Sequence, residues 1–253
     1  MNSSNTEGIL LVATGSKHRE EAIKSVDYIK PHLNSRPITL VTDKPSDIPK
    51  GLFDTVKLHP NPKKTYRDKI EPLETLPYPR TIFLDCDLQL LQPIDDIFKL
   101  LFHIDLVGCH APVRWCQWKD PNVPEGFCEI NSGVIGLKKS RRQRLLIRKW
   151  LHFYDEIKVP FDQASLRSAL WWSSRKHRLR LWVLPPEYNL RTPKPWLAGS
   201  GMAVKILHGR IIEDMKEPLI KYLNEDIDQF RSSSEFPTGQ NQEVKKNIQF
   251  TNT

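Results

Sequence analysis

The sequence predicts an α/β chain with a central, mostly parallel mixed sheet flanked by helices, and three observations carry that prediction. Apolar runs of strand length recur through the first half of the chain. Segments with helical spacing of apolar residues alternate with them. The run Thr81–Leu84 ends in two aspartates one residue apart, Asp85 and Asp87, and the carboxyl ends of strands are where ligands gather in open α/β sheets.

In chain order, "GILLVAT" (8–14) predicts a buried first strand and "KHREEAIKSVDYIKPHL" the helix after it. "PITLVTD" (37–43) is a second strand and "FDTVKLH" a third. "TYRDKIEPLETL" starts as a helix that stops near Pro72 or Pro77, because proline removes a backbone donor. "RTIFLD" is the strand leading to the aspartates, and "PIDDIFKLLF" opens a helix with Pro93 near its first turn. "IDLVGCH" is a further strand. The second half is less regular. "APVRWCQWKDPNVPEGFCE" is a long polar and aromatic loop, and "INSGVIGL" a short strand. A basic helix from "KKSRRQRLLIRKW" and a helix from "FDQASLRSALWW" follow. "LRLWVLP" and "AVKILHG" are strands separated by the loop "PEYNLRTPKPWLAGSG".

The chain of 253 residues suits one sizeable domain, over 1–230, with an appendage. Residues 231–253, rich in Ser, Asn, Gln and Lys, form an expected flexible tail. No stretch approaches the roughly 20 apolar residues of a membrane span, and "MNSSNTEGILLVATGS" lacks the basic segment of a secretory signal. The expected location is cytoplasmic. Cys86, Cys109, Cys116 and Cys128 include no C-x-x-C pair, so free thiols are expected in a reducing compartment. The net charge of +8 favours anionic partners. Much of it lies in the basic helix, first read as a solvated face, with peripheral contact to an acidic membrane surface as the second option. Oligomeric state is not readable.

Two carboxylates that close repel each other, and burial makes each harder to ionise. Hard divalent cations prefer carboxylate oxygens, so a bound Mn²⁺ or Mg²⁺ would answer the repulsion; solvated aspartates of a turn are the plainer explanation. Three later segments add weight: "EINSGVIGL" with Asn131, Ser132 and Gly133, "FDQASL" with Asp162 and Gln163, and "ILHG" with His208 and Gly209. In this order, together with "IFLDCDLQLL", they resemble the GT-A fold glycosyltransferases, especially the glycogenin-like (family 8) and related retaining families. The resemblance spans about residues 9–218 and implies that 1–230 is a single catalytic domain, with a nucleotide-binding half at about 8–110 and an acceptor and sugar half at about 111–230.

The resemblance implies that Asp85, Asp87 and His208 bind a divalent cation bridging the diphosphate of a nucleotide-sugar, a UDP- or GDP-sugar. One imidazole and two carboxylates leave coordination positions open for phosphate oxygens. It implies donor contacts from Thr14, Lys17, Asp43, Lys69, Asp85, Cys86 and Gly209, and sugar contacts from Asn131, Ser132 and Gly133. It implies catalytic roles for Asp162, Gln163 and Asn131, whose carboxylate and amide groups suit hydroxyls: in a retaining enzyme they would stabilise an oxocarbenium-like centre, in an inverting one a carboxylate would be general base for the acceptor hydroxyl. Simpler roles stand beside these: Asp43 as a turn residue, Lys69 as a solvated helix lysine, Asp162 as an N-cap, and Trp115 and Trp118 as packing residues rather than an acceptor platform. The chain departs from the family where "HGRIIEDMKEP" replaces His-x-x-Gly-x-x-Lys-Pro-Trp; Arg210 or Lys216 would have to supply the phosphate contact, and the "KPW" at 194–196 comes too early.

The expected activity is metal-dependent transfer of a sugar from a nucleotide-diphosphate-sugar, with retention, to a carbohydrate, lipid or protein acceptor that the sequence does not name. One alternative is a haloacid-dehalogenase-like phosphatase with Asp85 as nucleophile, although Gln89 stands where that family has threonine or valine. The other is a non-catalytic binder of nucleic acid or nucleotide-sugar; no nucleic-acid module is visible, and no nucleic-acid partner is expected.

Overall fold

The computed structural model describes residues 6–111, 120–157, 161–191 and 203–210. Seven strands form the main sheet: β1 (Glu7–Ala13), β2 (Ile38–Thr42), β3 (Thr55–Leu58), β4 (Arg80–Leu84), β6 (Leu106–His110), β7 (Ile130–Lys138) and β8 (Leu181–Leu184). Their order is β3-β2-β1-β4-β7-β6-β8. All neighbours are parallel except that β7 runs antiparallel to both β4 and β6. A second sheet of three short strands has the order β5 (Leu88–Leu90), β10 (Ile206–His208), β9 (Leu190–Arg191).

Helices cover both faces. α1 (Ser16–Ile29) and α3 (Asp95–Leu100) pack on one side; α4 (Arg141–Ile157) and α5 (Gln163–His177) pack on the other. The short α2 (Arg67–Ile70) runs into a 3₁₀ turn, Glu71–Glu74, which accommodates Pro72 in its first positions, so the segment continues past that proline. β1 shows why its run is apolar throughout. Ile9, Leu11 and Ala13 join the cluster with Ala22, Val26 and Ile29 of α1, while Leu10 and Val12 join the cluster with Leu146, Trp150 and Leu166 of α4 and α5. Alternate side chains point to opposite faces, and both faces are buried.

The expected elements are present, with instructive differences. "INSGVIGL" is part of the longest of the described strands, nine residues, and its reversed direction is what brings its beginning to the end of β4. β5 and β9 were expected in no form; strands of three and two residues carry no periodicity to read. The loop expected over 186–201 begins with a 3₁₀ turn, Pro186–Tyr188, and then β9. Trp115, Trp118, Cys116, Lys194–Trp196, Lys216 and the expected tail lie outside the described residues. Cys86 and Cys109 are free thiols. On the basic helix α4, Arg148 pairs with Glu74 at 2.6 Å and Lys149 lies over the rings of Phe153 and Trp172. Among the described residues no helix is long and apolar enough to cross a membrane.

Candidate functional site

Three chain segments meet at the carboxyl end of β4. The Asp85 N–H donates to the Gly133 carbonyl at 2.8 Å, tying the aspartate turn to the start of β7. The Gly209 N–H donates to the Asp87 carbonyl at 2.9 Å, tying the same turn to the end of β10. β10 pairs with β5 so that His208 stands opposite Leu88, beside the aspartates. A cavity of about 810 Å³ opens here. Its walls come from the β1–α1 loop, α2 and the turn before it, the aspartate turn, the start of β7, the start of α5, and the ends of β9 and β10.

Asp85, Asp87 and His208 each offer a ligand atom, and these atoms lie within 4.8 Å of one another. His208 Nε2 is 3.3 Å from Asp87 Oδ1 and 3.8 Å from Asp85 Oδ2. His208 Nδ1 is bonded to Asn189 Oδ1 at 2.8 Å. Two carboxylates and an imidazole with its second nitrogen anchored suit a divalent cation with open positions. Burial pushes the Asp85 carboxyl above its usual range, against the pull of Lys69 and His208. Burial acts the same way on Asp87, but His208, Arg210 and Arg191 outweigh it and hold this carboxyl below the usual range. Gly133 makes the arrangement sterically possible. A Cβ there would stand 2.2 Å from His208 Cε1 and 2.9 Å from Asp85 Oδ2. The glycine therefore supports the ligands from behind rather than lining the cavity.

Positive charge also comes from the chain itself. Lys69 Nζ lies 3.3 Å from each Asp85 oxygen, 3.0 Å from Ser132 Oγ and 3.3 Å from Asp162 Oδ2. Burial alone would lower its pKa, but Asp162 and Asp85 outweigh burial and raise it. Lys69 is thus a permanent ammonium, an electrostatic group and not a base. The solvated-lysine alternative does not apply, since its side chain is only 11 % exposed.

On the expected sugar side, Asp162, Gln163, Asn131 and Ser132 all line the cavity. Asp162 precedes α5 but makes no side-chain cap bond; its carboxylate turns to Lys69. Asn131 Nδ2 donates to Gln163 Oε1 at 3.0 Å, and Gln163 Nε2 donates to Glu129 Oε1 at 3.1 Å. Asn131 Oδ1 already accepts from the Gly133 N–H and from Asn189 Nδ2, both at 3.0 Å.

On the expected nucleotide side, Thr14, Lys17 and Cys86 line the cavity, and Gly15 takes a positive φ of 85° where the chain turns from β1 into α1. Asp43 does not line it. Its carboxylate accepts from the Gly15 N–H at 3.1 Å and from Arg19 at 2.6 Å. Burial opposes ionisation, but these donors hold its carboxyl below the usual range. Asp43 supports the loop from behind. Gly209 also stays out of the lining; its N–H is spent on Asp87, and its φ of 130° demands glycine. Arg210 does line the cavity, with Glu21 holding its guanidinium at 2.6 and 3.1 Å and Asp87 3.7 Å away.

Sequence reasoning overlooked Asp68, Glu129, Asn189 and Arg191. Asp68 is buried and accepts from Thr14 Oγ1 at 2.7 Å, the Lys63 N–H at 2.6 Å and the Lys64 N–H at 2.9 Å, so one carboxylate joins the β1 end to the loop before α2. The available signal was its place next to Lys69 in "YRDKI". Asp68→Ala is expected to cost on the order of 2–4 kcal/mol, because it strands several donors around a buried site. Urea unfolding checks this, and a loss below about 1 kcal/mol would show that solvent satisfies those donors instead.

No family profile matches the sequence. Glucoside xylosyltransferase 2 of Mus musculus is 26% identical over 177 residues, covering 59% of this chain and 39% of that protein. This chain thus spans well under half the length of that curated relative. Among solved structures, mouse xyloside xylosyltransferase 1 in its apo form superposes with a TM-score of 0.52 at 14% identity, covering 81% of this chain and 98% of that one. An active-site mutant of LgtC superposes with a TM-score of 0.57 at 11% identity, covering 93% and 99%. The chain has the GT-A fold, and its likeness is to glycosyltransferases of the family 8 kind.

Proposed function

We propose that this chain transfers a sugar from a nucleotide-diphosphate-sugar, a UDP- or GDP-sugar, to an acceptor hydroxyl, with retention, and that Asp85, Asp87 and His208 hold the divalent cation, Mn²⁺ or Mg²⁺, that the reaction uses. The observation that carries this reading is the convergence of those three side chains, with ligand atoms within 4.8 Å of one another, in the wall of a cavity also faced by Lys17, Lys69, Arg191 and Arg210. Such a wall suits a diphosphate. The cation would neutralise charge on the departing nucleoside diphosphate. The chain's own residues do the rest. The β1–α1 loop at Thr14–Lys17 offers close backbone approach for the nucleotide. Lys69, fixed between Asp85 and Asp162, places a permanent positive charge between the phosphate and sugar ends of the cavity. Asp162 directs a carboxylate toward the sugar end, where it would stabilise an oxocarbenium-like centre. Asn131 and Gln163 hold each other, so each presents its remaining amide hydrogen in a fixed direction.

A panel of UDP- and GDP-sugars with Mn²⁺, scored by release of nucleoside diphosphate, tests the reading. EDTA is expected to abolish release and added Mn²⁺ or Mg²⁺ to restore it. Asp87→Asn is expected to stay folded while losing metal-dependent nucleotide binding. Undiminished transfer in EDTA would refute the metal assignment.

A further inference from the structure

We infer that Asn189 is a positioning residue that, through a one-way chain of side-chain hydrogen bonds, fixes the tautomer of His208 so that Nε2 is the coordinating nitrogen. This rests on the metal reading above. It goes beyond it by assigning work to residues outside the ligand set.

The chain has five members. His208 Nδ1 meets Asn189 Oδ1 at 2.8 Å, Asn189 Nδ2 meets Asn131 Oδ1 at 3.0 Å, Asn131 Nδ2 meets Gln163 Oε1 at 3.0 Å, and Gln163 Nε2 meets Glu129 Oε1 at 3.1 Å. Amide orientation and imidazole tautomer follow from which partners can only donate or only accept. Here one backbone group decides them all. The Gly133 N–H can only donate, and it donates to Asn131 at 3.0 Å, so the Asn131 atom there is the carbonyl oxygen. The Asn189 atom facing that same oxygen must then be its NH₂, which leaves the Asn189 carbonyl facing His208 Nδ1. An acceptor at that place requires Nδ1–H. In the other direction, the Asn131 NH₂ faces the Gln163 carbonyl, and the Gln163 NH₂ ends on a carboxylate, an acceptor by nature. Every bond points away from His208 and toward Glu129.

A second donor, outside the chain, agrees. Arg191 Nη1 lies 2.8 Å from His208 Nε2. A guanidinium has no lone pair to offer, so Nε2, the nearer ring nitrogen, is the one placed to accept from it. The Gly133 N–H thus assigns Nδ1–H through Asn131 and Asn189, and Arg191 stands nearer to Nε2 than to Nδ1, at 2.8 against 3.4 Å. Nε2 lies beside the aspartates, 3.3 Å from Asp87 and 3.8 Å from Asp85, and Asn189, buried and held at both ends of its amide, keeps the ring in that orientation.

The test is heteronuclear NMR of ¹⁵N-histidine protein at mildly alkaline pH, with His208 assigned by the signal lost in His208→Ala, alongside Mn²⁺ titration followed by electron paramagnetic resonance. The wild type is expected to show the Nδ1–H tautomer. Asn189→Leu, close in volume but without an acceptor, is expected to show a mixture of tautomers and to bind Mn²⁺ about 10–100-fold more weakly. Asn189→Asp restores the acceptor and is expected to regain the Nδ1–H form. An Nε2–H tautomer in the wild type overturns the inference, whatever the variants do. Unchanged Mn²⁺ affinity in folded Asn189→Leu overturns it too. A wild-type protein that shows Nδ1–H yet binds no Mn²⁺ refutes the metal reading instead, and with it the role given to the tautomer.

Discussion

Gly133→Ala is expected to remove metal-dependent nucleotide binding and to destabilise the protein with one added methyl group. The new Cβ would lie 2.2 Å from His208 Cε1 and 2.9 Å from both His208 Nδ1 and Asp85 Oδ2. Contacts that short must be relieved by movement. The Gly133 backbone has little freedom to retreat, because its carbonyl accepts from Asp85 and its N–H donates to Asn131. The imidazole and the carboxylate must therefore move, and they are two of the three candidate ligands. Overpacking of this kind costs about 1–3 kcal/mol, or several degrees of melting temperature for a chain of this size. Gly136→Ala supplies the comparison. It lies on the same strand, and its Cβ would meet Val107 at 2.5 Å and Ile97 at 2.9 Å, away from the cavity. Both variants should melt earlier, but only Gly133→Ala should lose the Mn²⁺-dependent gain in nucleotide affinity. Calorimetric titration with and without Mn²⁺ separates them, and equal behaviour of the two variants would mean that Gly133 serves packing alone.

Asp162→Asn is expected to lower turnover on the order of 100-fold or more while leaving nucleoside diphosphate affinity and melting temperature close to wild type. Effects of that size follow when a group aimed at developing charge is removed from a water-poor site. Asparagine is a good N-cap, so a capping role would make this variant silent in every measurement. The structure argues against capping: the Asp162 side chain makes no cap bond and faces Lys69 at 3.3 Å. Breaking a buried ion pair would ordinarily cost several kcal/mol. Lys69 nevertheless keeps Asp85 at 3.3 Å and Ser132 at 3.0 Å as partners, so the loss in stability should stay small. Steady-state turnover with the best donor of the panel and a melting curve decide the matter. Full turnover in Asp162→Asn would remove this carboxylate from the proposed chemistry.

The sequence by itself determined the elements whose signals are local. The both-faced apolar runs of β1, β2 and β4, the helical spacing of α1, and the order of the four short motifs were all legible, because periodicity and adjacency are properties of a few neighbouring residues. Asp85 and Asp87 stood out for the same reason, at the end of a recognisable strand, whereas His208 entered the candidate set only through the resemblance. The tertiary structure alone decided how side chains far apart in sequence meet. The reversal of β7 places Gly133 behind Asp85, a consequence of pairing register that no single segment encodes. Lys69 meets Asp162 across 93 residues (162 − 69), which turns an apparent surface lysine into a buried ammonium and an apparent cap into its partner. Asp43 and Gly209 sit at strand ends, as expected of ligand contacts, yet their polar groups are spent on Gly15, Arg19 and Asp87. Asn189 and Arg191 reach His208 only because β9, two residues long, pairs with β10 in one register. A strand that short has no pattern of its own; its place comes from the pairing it completes with β10.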